Sequence, residues 1–310
     1  MTQEQRGQER RPKRRVDGVL LLDKPLQVSS NGALQKARWL FNAAKAGHTG
    51  VLDPLATGLL PCCFGEATKF SSYLLDADKA YRATLKFGAV TTTGDAEGEV
   101  LRERPVDFTE TALREAMARH TGPIRQVPPM YSALKFQGKA LYEYARQGIE
   151  IERKARDVTI HGLELIEFGG DTAVIDVRCS KGTYVRTLAE DIGEALGCGA
   201  HLIGLRRTAT AGFSLDRAVT LEQVDAVPYE DRLGLLLPVD VLVSHLPSFE
   251  VDETGFGRFT HGQSVQMGEK HDIMSRFRVY RASTREFVGL GEVRDDFGLL
   301  HPCRLMVAAE

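Results

Sequence analysis

No apolar run in this sequence approaches the roughly 18 residues that a membrane-spanning helix needs. No apolar stretch follows the basic residues at the N-terminus, so no secretory signal is read there. The eight histidines and five cysteines form neither an HExxH nor a CxxC…HxxxH spacing, which argues against a bound metal. Cys62, Cys63, Cys179, Cys198 and Cys303 are odd in number and lack framework spacing. That argues against structural disulfides and fits a reducing compartment. The expectation is therefore a cytoplasmic protein with no membrane segment and no metal site.

A large excess of either charge is also missing: the net charge is -2 over 310 residues. Positive charge is nevertheless concentrated. Residues 1–15 hold six Lys/Arg against two Glu, and residues 125–156 hold seven Lys/Arg against three Glu. Such a segment steers a polyanion even when the rest of the molecule is acidic, although a solvated face is the plainer explanation of a charge run. Residues 1–15 carry almost no apolar side chains and are expected to form a disordered basic tail. With 43% apolar and 26% charged residues, the remainder suits one large domain and a small one.

Several elements are readable. GVLLLDKP (18–25) has the look of a short buried strand ending at Pro25. Ser29, Ser30 and Asn31 offer helix caps, and Ala33, Leu34, Ala37, Leu40 and Phe41 follow at helical spacing. Residues 80–87 alternate, with Tyr81, Ala83, Leu85 and Phe87 on one face. Residues 110–120 look helical, and a Pro-rich stretch after them ends in a short helix. Residues 173–179 alternate again, then lead through KGTY into a helix carrying Leu188, Ile192 and Leu196 and stopped at Gly197. The organisation breaks near Leu246-Pro247. Beyond it, short apolar runs between Gly and charged turns predict a small β module that leans on the larger domain.

Two segments invite a chemical reading. In GHTGVLDPLATGLLP (47–61), Asp53-Pro54 is a helix-start signal, with Asp as cap and Pro at the first helical position. On that reading Asp53 satisfies backbone N–H groups for about 1 kcal/mol, and His48 is an ordinary loop histidine. In CSKGTYVRTLAEDIG (179–193), Arg186 falls in the first helical turn, where a cation opposes the helix dipole at a cost of about 0.3–1 kcal/mol. An anionic partner removes that objection; a snorkelling surface arginine is the alternative. Tyr81 reads either as a core tyrosine or as a platform on which an extruded base stacks.

Six motifs then resemble one family in family order: LLLDKPLQVSSN (20–31), GHTGVLDPLATGLLPCCFGEATK (47–69), KAYRA (79–83), PPMYSALKFQGKALYEYARQG (128–148), SKGTYVRTLAEDIG (180–193) and LRRTATAGF (205–213). This is the family of bacterial synthases that convert uridine 55 in the T arm of tRNA to pseudouridine, and the resemblance runs from about Asp17 to Glu310. It implies an α+β pseudouridine synthase fold: a large mixed, mainly antiparallel sheet around a central cleft, with a small C-terminal PUA-like β module. The implied layout is a catalytic domain over 16–246, an RNA-gripping insertion at about 125–156, and the module over 247–310. It implies Asp53 as the catalytic aspartate, Tyr81 as the residue stacking on the uracil, and Arg186 as the partner of the catalytic carboxylate. His48 corresponds to the histidine that fills the space left by the flipped base. Tyr184, Leu205, Lys24 and Pro25 match positions that line or brace the pocket. An isomerisation needs no cofactor, and tRNA is the expected partner of a monomer with no obligatory protein partner.

Overall fold

The computed structural model describes residues 12–268 and 271–307 of the chain. Nine strands form the main sheet. Its central path runs Gly18–Lys24, Ala56–Phe64, Ala200–Thr210, Lys79–Phe87, Thr172–Cys179, Arg156–Phe168 and Gly122–Gln126. Ala46–His48 pairs with Ala56–Phe64, and Phe213–Ser214 pairs with Ala200–Thr210. All these pairings are antiparallel except that of Ala200–Thr210 with Ala56–Phe64. The expected mixed, mainly antiparallel sheet is what the chain forms.

The alternating patterns at 79–87 and 172–179 became neighbouring strands, with Tyr81 opposite Val177 and Ala83 opposite Ile175. Their apolar faces join one core with the helices Ser30–Leu40, Glu110–Arg119 and Val185–Ala195. Ser29 caps the first helix by accepting from Gly32 N–H at 3.0 Å. The last helix ends before Gly197, whose φ of +81° suits glycine.

The expected helix at Asp53-Pro54 does not form. Residues 51–53 are irregular, a turn follows, and Ala56–Phe64 is a strand. The reason is burial on both faces. Leu60, Cys62 and Phe64 enter the helix-covered core, while Leu59 and Cys63 enter a second core on the opposite side. A strand covered on both faces loses the period-2 signal, so its apolar run cannot be told from a buried helix by periodicity.

The second core joins the main sheet to the C-terminal module, a five-stranded sheet ordered Ser248–Val251, Arg276–Arg281, Phe287–Val293, Leu299–Leu305 and Val265–Gln266. Phe70 and Phe287 meet there with ring centroids 5.5 Å apart. Lys69 Nζ donates to the Leu305 carbonyl at 3.0 Å, and Tyr280 donates to Asp240 at 2.7 Å. Most of the expected basic tail, residues 1–11, lies outside the described residues. Residues 12–15 are held instead: Arg14 N–H donates to Asn42 O at 2.9 Å, and Asn42 Nδ2 donates to Pro12 O at 2.7 Å. Backbone pairing that composition does not register fixes them.

Candidate active site

Asp53 lies in the loop that enters the buried strand Ala56–Phe64, and that loop is stitched down on both sides. The Ser30 hydroxyl accepts from Leu52 N–H at 2.8 Å and donates to Leu52 O at 2.9 Å. Gln27 N–H donates to Pro54 O at 2.8 Å, and Ala56 N–H donates to Asp53 O at 3.0 Å. The side chain of Asp53 is thereby left free to point into a cavity of about 240 Å³. Asp53, Tyr81, Tyr184, Arg186, Leu205 and Arg207 are among its lining residues.

Arg186 is the second residue of the helix Val185–Ala195, and two carboxylates answer its unfavourable position. Nη2 stands 3.1 Å from Asp53 Oδ2, and Nη1 stands 3.6 Å from Asp95 Oδ2. Nη1 also donates to Thr93 O at 2.8 Å and Nη2 to Tyr131 O at 2.7 Å. The side chains of Arg186 and Asp95 are 8% and 3% exposed, whereas that of Asp53 is 38% exposed. Asp53 is thus the member of this network that faces the cavity. Asp95 is held from behind by Thr93 Oγ1 at 2.5 Å and by Glu97 N–H at 3.1 Å.

Burial pushes the Asp53 carboxyl above its ordinary pKa; Arg186 opposes this, Asp95 adds to it and Lys24 opposes it. A reaction that needs the carboxylate therefore loses rate on acidification at a higher pH than an exposed aspartate dictates. We expect the acid limb of the single-turnover rate to lie above about pH 4, the ordinary aspartate range. A limb at or below that value contradicts the assignment.

The remaining sequence-predicted residues occupy three tiers. Tyr81 is buried yet lines the cavity, so its two readings are compatible. Leu205 sits between Ala56 and Ala83 in the ladders, and the Tyr184 backbone is clasped by the Gln126 side chain at 3.1 and 3.3 Å. Lys24 does not line the cavity. It is fully buried, with Nζ donating to Pro25 O at 2.8 Å and Val28 O at 2.5 Å. Burial draws Lys24 down to about 8, against the pull of Asp53 and Glu97. His48 also lies outside the lining, in the short strand Ala46–His48; burial and then Arg207 lower its pKa, and its Nδ1 has no hydrogen-bond partner among the described residues.

Sequence reasoning missed Ser30 as a clamp, Asp95 as the second carboxylate and Arg207 as a cavity residue. Arg207 lies within LRRTATAGF, which marked the segment but not the residue. Asp95 carried no signal, because its partner Arg186 lies on a distant helix.

Residues 38–185 match the description "TruB family pseudouridylate synthase (N terminal domain)" and residues 186–244 match "tRNA pseudouridylate synthase B C-terminal domain". Residues 247–306 match "Pseudouridine synthase II TruB, C-terminal". The tRNA pseudouridine synthase B of Chromobacterium violaceum is 65% identical over 294 residues, covering 95% of this chain and 96% of that protein. The protein of the same name from Neisseria meningitidis serogroup B is 56% identical over 297 residues, covering 96% of each. Among solved structures, a chain from a Cbf5-Nop10-Gar1 complex shares the fold with a TM-score of 0.68 at 26% identity, over 94% of this chain and 84% of that one. The chain belongs to the TruB family of pseudouridylate synthases, which are isomerases.

Proposed function

We propose that this enzyme converts uridine to pseudouridine at position 55 in the T arm of tRNA, using Asp53 and no cofactor. The observation that carries the reading is the placement of Asp53 in one cavity with Tyr81, its carboxylate 3.1 Å from a buried arginine. The reaction breaks the bond from uracil N1 to C1′ and forms one from C5 to C1′. C5 loses a proton and N1 gains one, so nothing is oxidised, reduced or removed. A carboxylate suits this chemistry as a nucleophile toward C1′ or C6, or as the base that takes a sugar proton. The name shared by the two relatives above, tRNA pseudouridine synthase B, supports tRNA as the substrate.

A T-loop uridine is tucked inside folded tRNA and has to be extruded, at a cost of a few kcal/mol. Stacking on Tyr81 offsets part of that cost, on the order of 1–3 kcal/mol. His48 suits the role of filling the gap left in the RNA, since burial keeps its imidazole neutral and Nδ1 has no partner among the described residues. The segment 125–156 supplies phosphate contacts. In it Lys135, Arg146, Lys154 and Arg156 are exposed, and Phe136 and Tyr142 stand exposed beside them.

We assign the enzyme to the cytoplasm as a monomer, and the test uses the chain alone with an unmodified tRNA transcript carrying tritium at uridine C5. Stoichiometric release of one tritium per tRNA supports the reading; a requirement for a guide RNA or a second protein contradicts it. tRNA affinity is expected to fall as salt rises, in proportion to the number of phosphates neutralised. Salt-independent binding contradicts the assignment of the basic segment.

A further inference from the structure

Beside Tyr81, on the neighbouring strand, lies a buried charge. Arg207 is 1% exposed, and no carboxylate among the described residues is paired with it. Its Nε donates to Leu59 O at 2.6 Å and its Nη2 to Gly50 O at 3.3 Å. The guanidinium and the Tyr81 hydroxyl also act on each other electrostatically, the arginine favouring the ionised phenol that burial disfavours. Strand pairing imposes this arrangement: Arg207 and Tyr81 are directly opposed in the antiparallel ladder, and both line the cavity. On the other side Arg207 is opposite Gly58, where a Cβ would stand 2.3 Å from Arg207 O. Only glycine permits strands this close, and the closeness fixes Arg207 beneath the pocket.

Holding two carbonyls does not require a charge, because a neutral amide donates as well. A buried guanidinium without a counter-ion is costly to the resting fold. It becomes useful when negative charge arrives during a reaction. As the N1–C1′ bond breaks, its electron pair stays on the base and spreads over N1, O2 and O4. C1′ is satisfied either by a bond to the Asp53 carboxylate or by loss of a C2′ proton to it. C5 then bonds C1′ as the Asp53 carboxylate leaves it, or as Asp53 returns the proton to C2′; C5 gives up its proton, N1 gains one, and the charge on the base is gone. If Asp53 adds to C6 instead, negative charge again appears on the ring, at C5 and O4. Every route open to Asp53 loads the uracil with negative charge.

We propose that Arg207 is a positioning residue of the reaction, acting through the Tyr81 hydroxyl to stabilise negative charge on the uracil. In the reaction an arginine N–H donates to the phenol oxygen, and the polarised phenol O–H of the stacked ring turns its positive end toward the base. Burial keeps the Tyr81 hydroxyl protonated, with Arg207 the strongest opposing influence, so a polarised neutral donor faces the cavity. The inference rests on the pseudouridine reading above and adds a residue to it.

The experiment is a double-mutant cycle on Arg207→Met and Tyr81→Phe, with Arg207→Lys as a third variant. It reads single-turnover pseudouridine formation at saturating unmodified tRNA, beside tRNA affinity and circular-dichroism melting. Arg207→Met is expected to slow the step about 10²–10³-fold with tRNA affinity retained. In the Tyr81→Phe background the same substitution is expected to cost less than about tenfold, because the link is already cut. Arg207→Lys is expected to restore part of the rate. Equal losses in both backgrounds, or an unchanged rate in a folded Arg207→Met protein, overturn the proposal. Should Arg207→Met not fold, the cycle is run with Arg207→Lys, and additivity there overturns it equally. Wild type that forms no pseudouridine overturns the underlying reading instead, so the two failures are distinguishable.

Discussion

Asp53→Asn is expected to abolish pseudouridine formation, lowering the single-turnover rate by about 10⁴-fold or more while tRNA binding persists. Asparagine has the same shape and can still meet Arg186, but it neither forms a stable bond to carbon nor accepts a proton at neutral pH. The fold is expected to survive. Because burial raises the folded-state pKa of Asp53, its charge is disfavoured in the native protein once the pH exceeds the ordinary value. Replacing it with a neutral isostere therefore leaves the melting temperature unchanged or higher, as is common where a site is built for chemistry rather than stability. A folded, tRNA-binding Asp53→Asn protein that turns over normally contradicts the assignment.

Arg186→Ala is expected to act on both stability and rate. Asp95 is almost fully buried and Arg186 Nη1, 3.6 Å away, is the cation paired with it among the described residues. Removing only the arginine leaves that carboxylate buried and unpaired, a loss of about 3–5 kcal/mol. It also removes two hydrogen bonds to backbone carbonyls, Thr93 O and Tyr131 O, that tie the site to two neighbouring loops. Asp53 loses its nearest cation, so its pKa rises further and the acid limb of the rate moves to higher pH. Together these effects predict a rate loss of about 10²–10³-fold and a marked drop in urea midpoint. Arg186→Lys keeps the charge but not the fork, and falls between. Unchanged turnover and stability in Arg186→Ala contradict the role given to the network.

What could be read from the sequence follows from how each residue is determined. The strands Lys79–Phe87 and Thr172–Cys179 and the helix Val185–Ala195 have one face in the core, so periodicity announced them. Ala56–Phe64 is buried on both faces and did not announce itself; Asp53-Pro54 looked like a helix start because the same two residues also suit an irregular turn. Arg186 carried a local sign of its role, a cation in a first helical turn. Asp95, Arg207 and Ser30 carried none, since their partners are set by strand order and by loops brought together from distant positions. Ser30 is instructive: beside Ser29 it read as one of several caps, yet Ser29 is the cap and Ser30 holds the loop of Asp53.

The most direct measurement is position-resolved mapping of pseudouridine in one unmodified tRNA transcript after incubation with wild type or with Asp53→Asn, at equal occupancy of tRNA. The account predicts conversion of a single T-loop uridine by wild type and none by the variant. Conversion elsewhere in the tRNA contradicts the substrate assignment. Conversion of the same uridine by both proteins contradicts the central claim that Asp53 performs the chemistry.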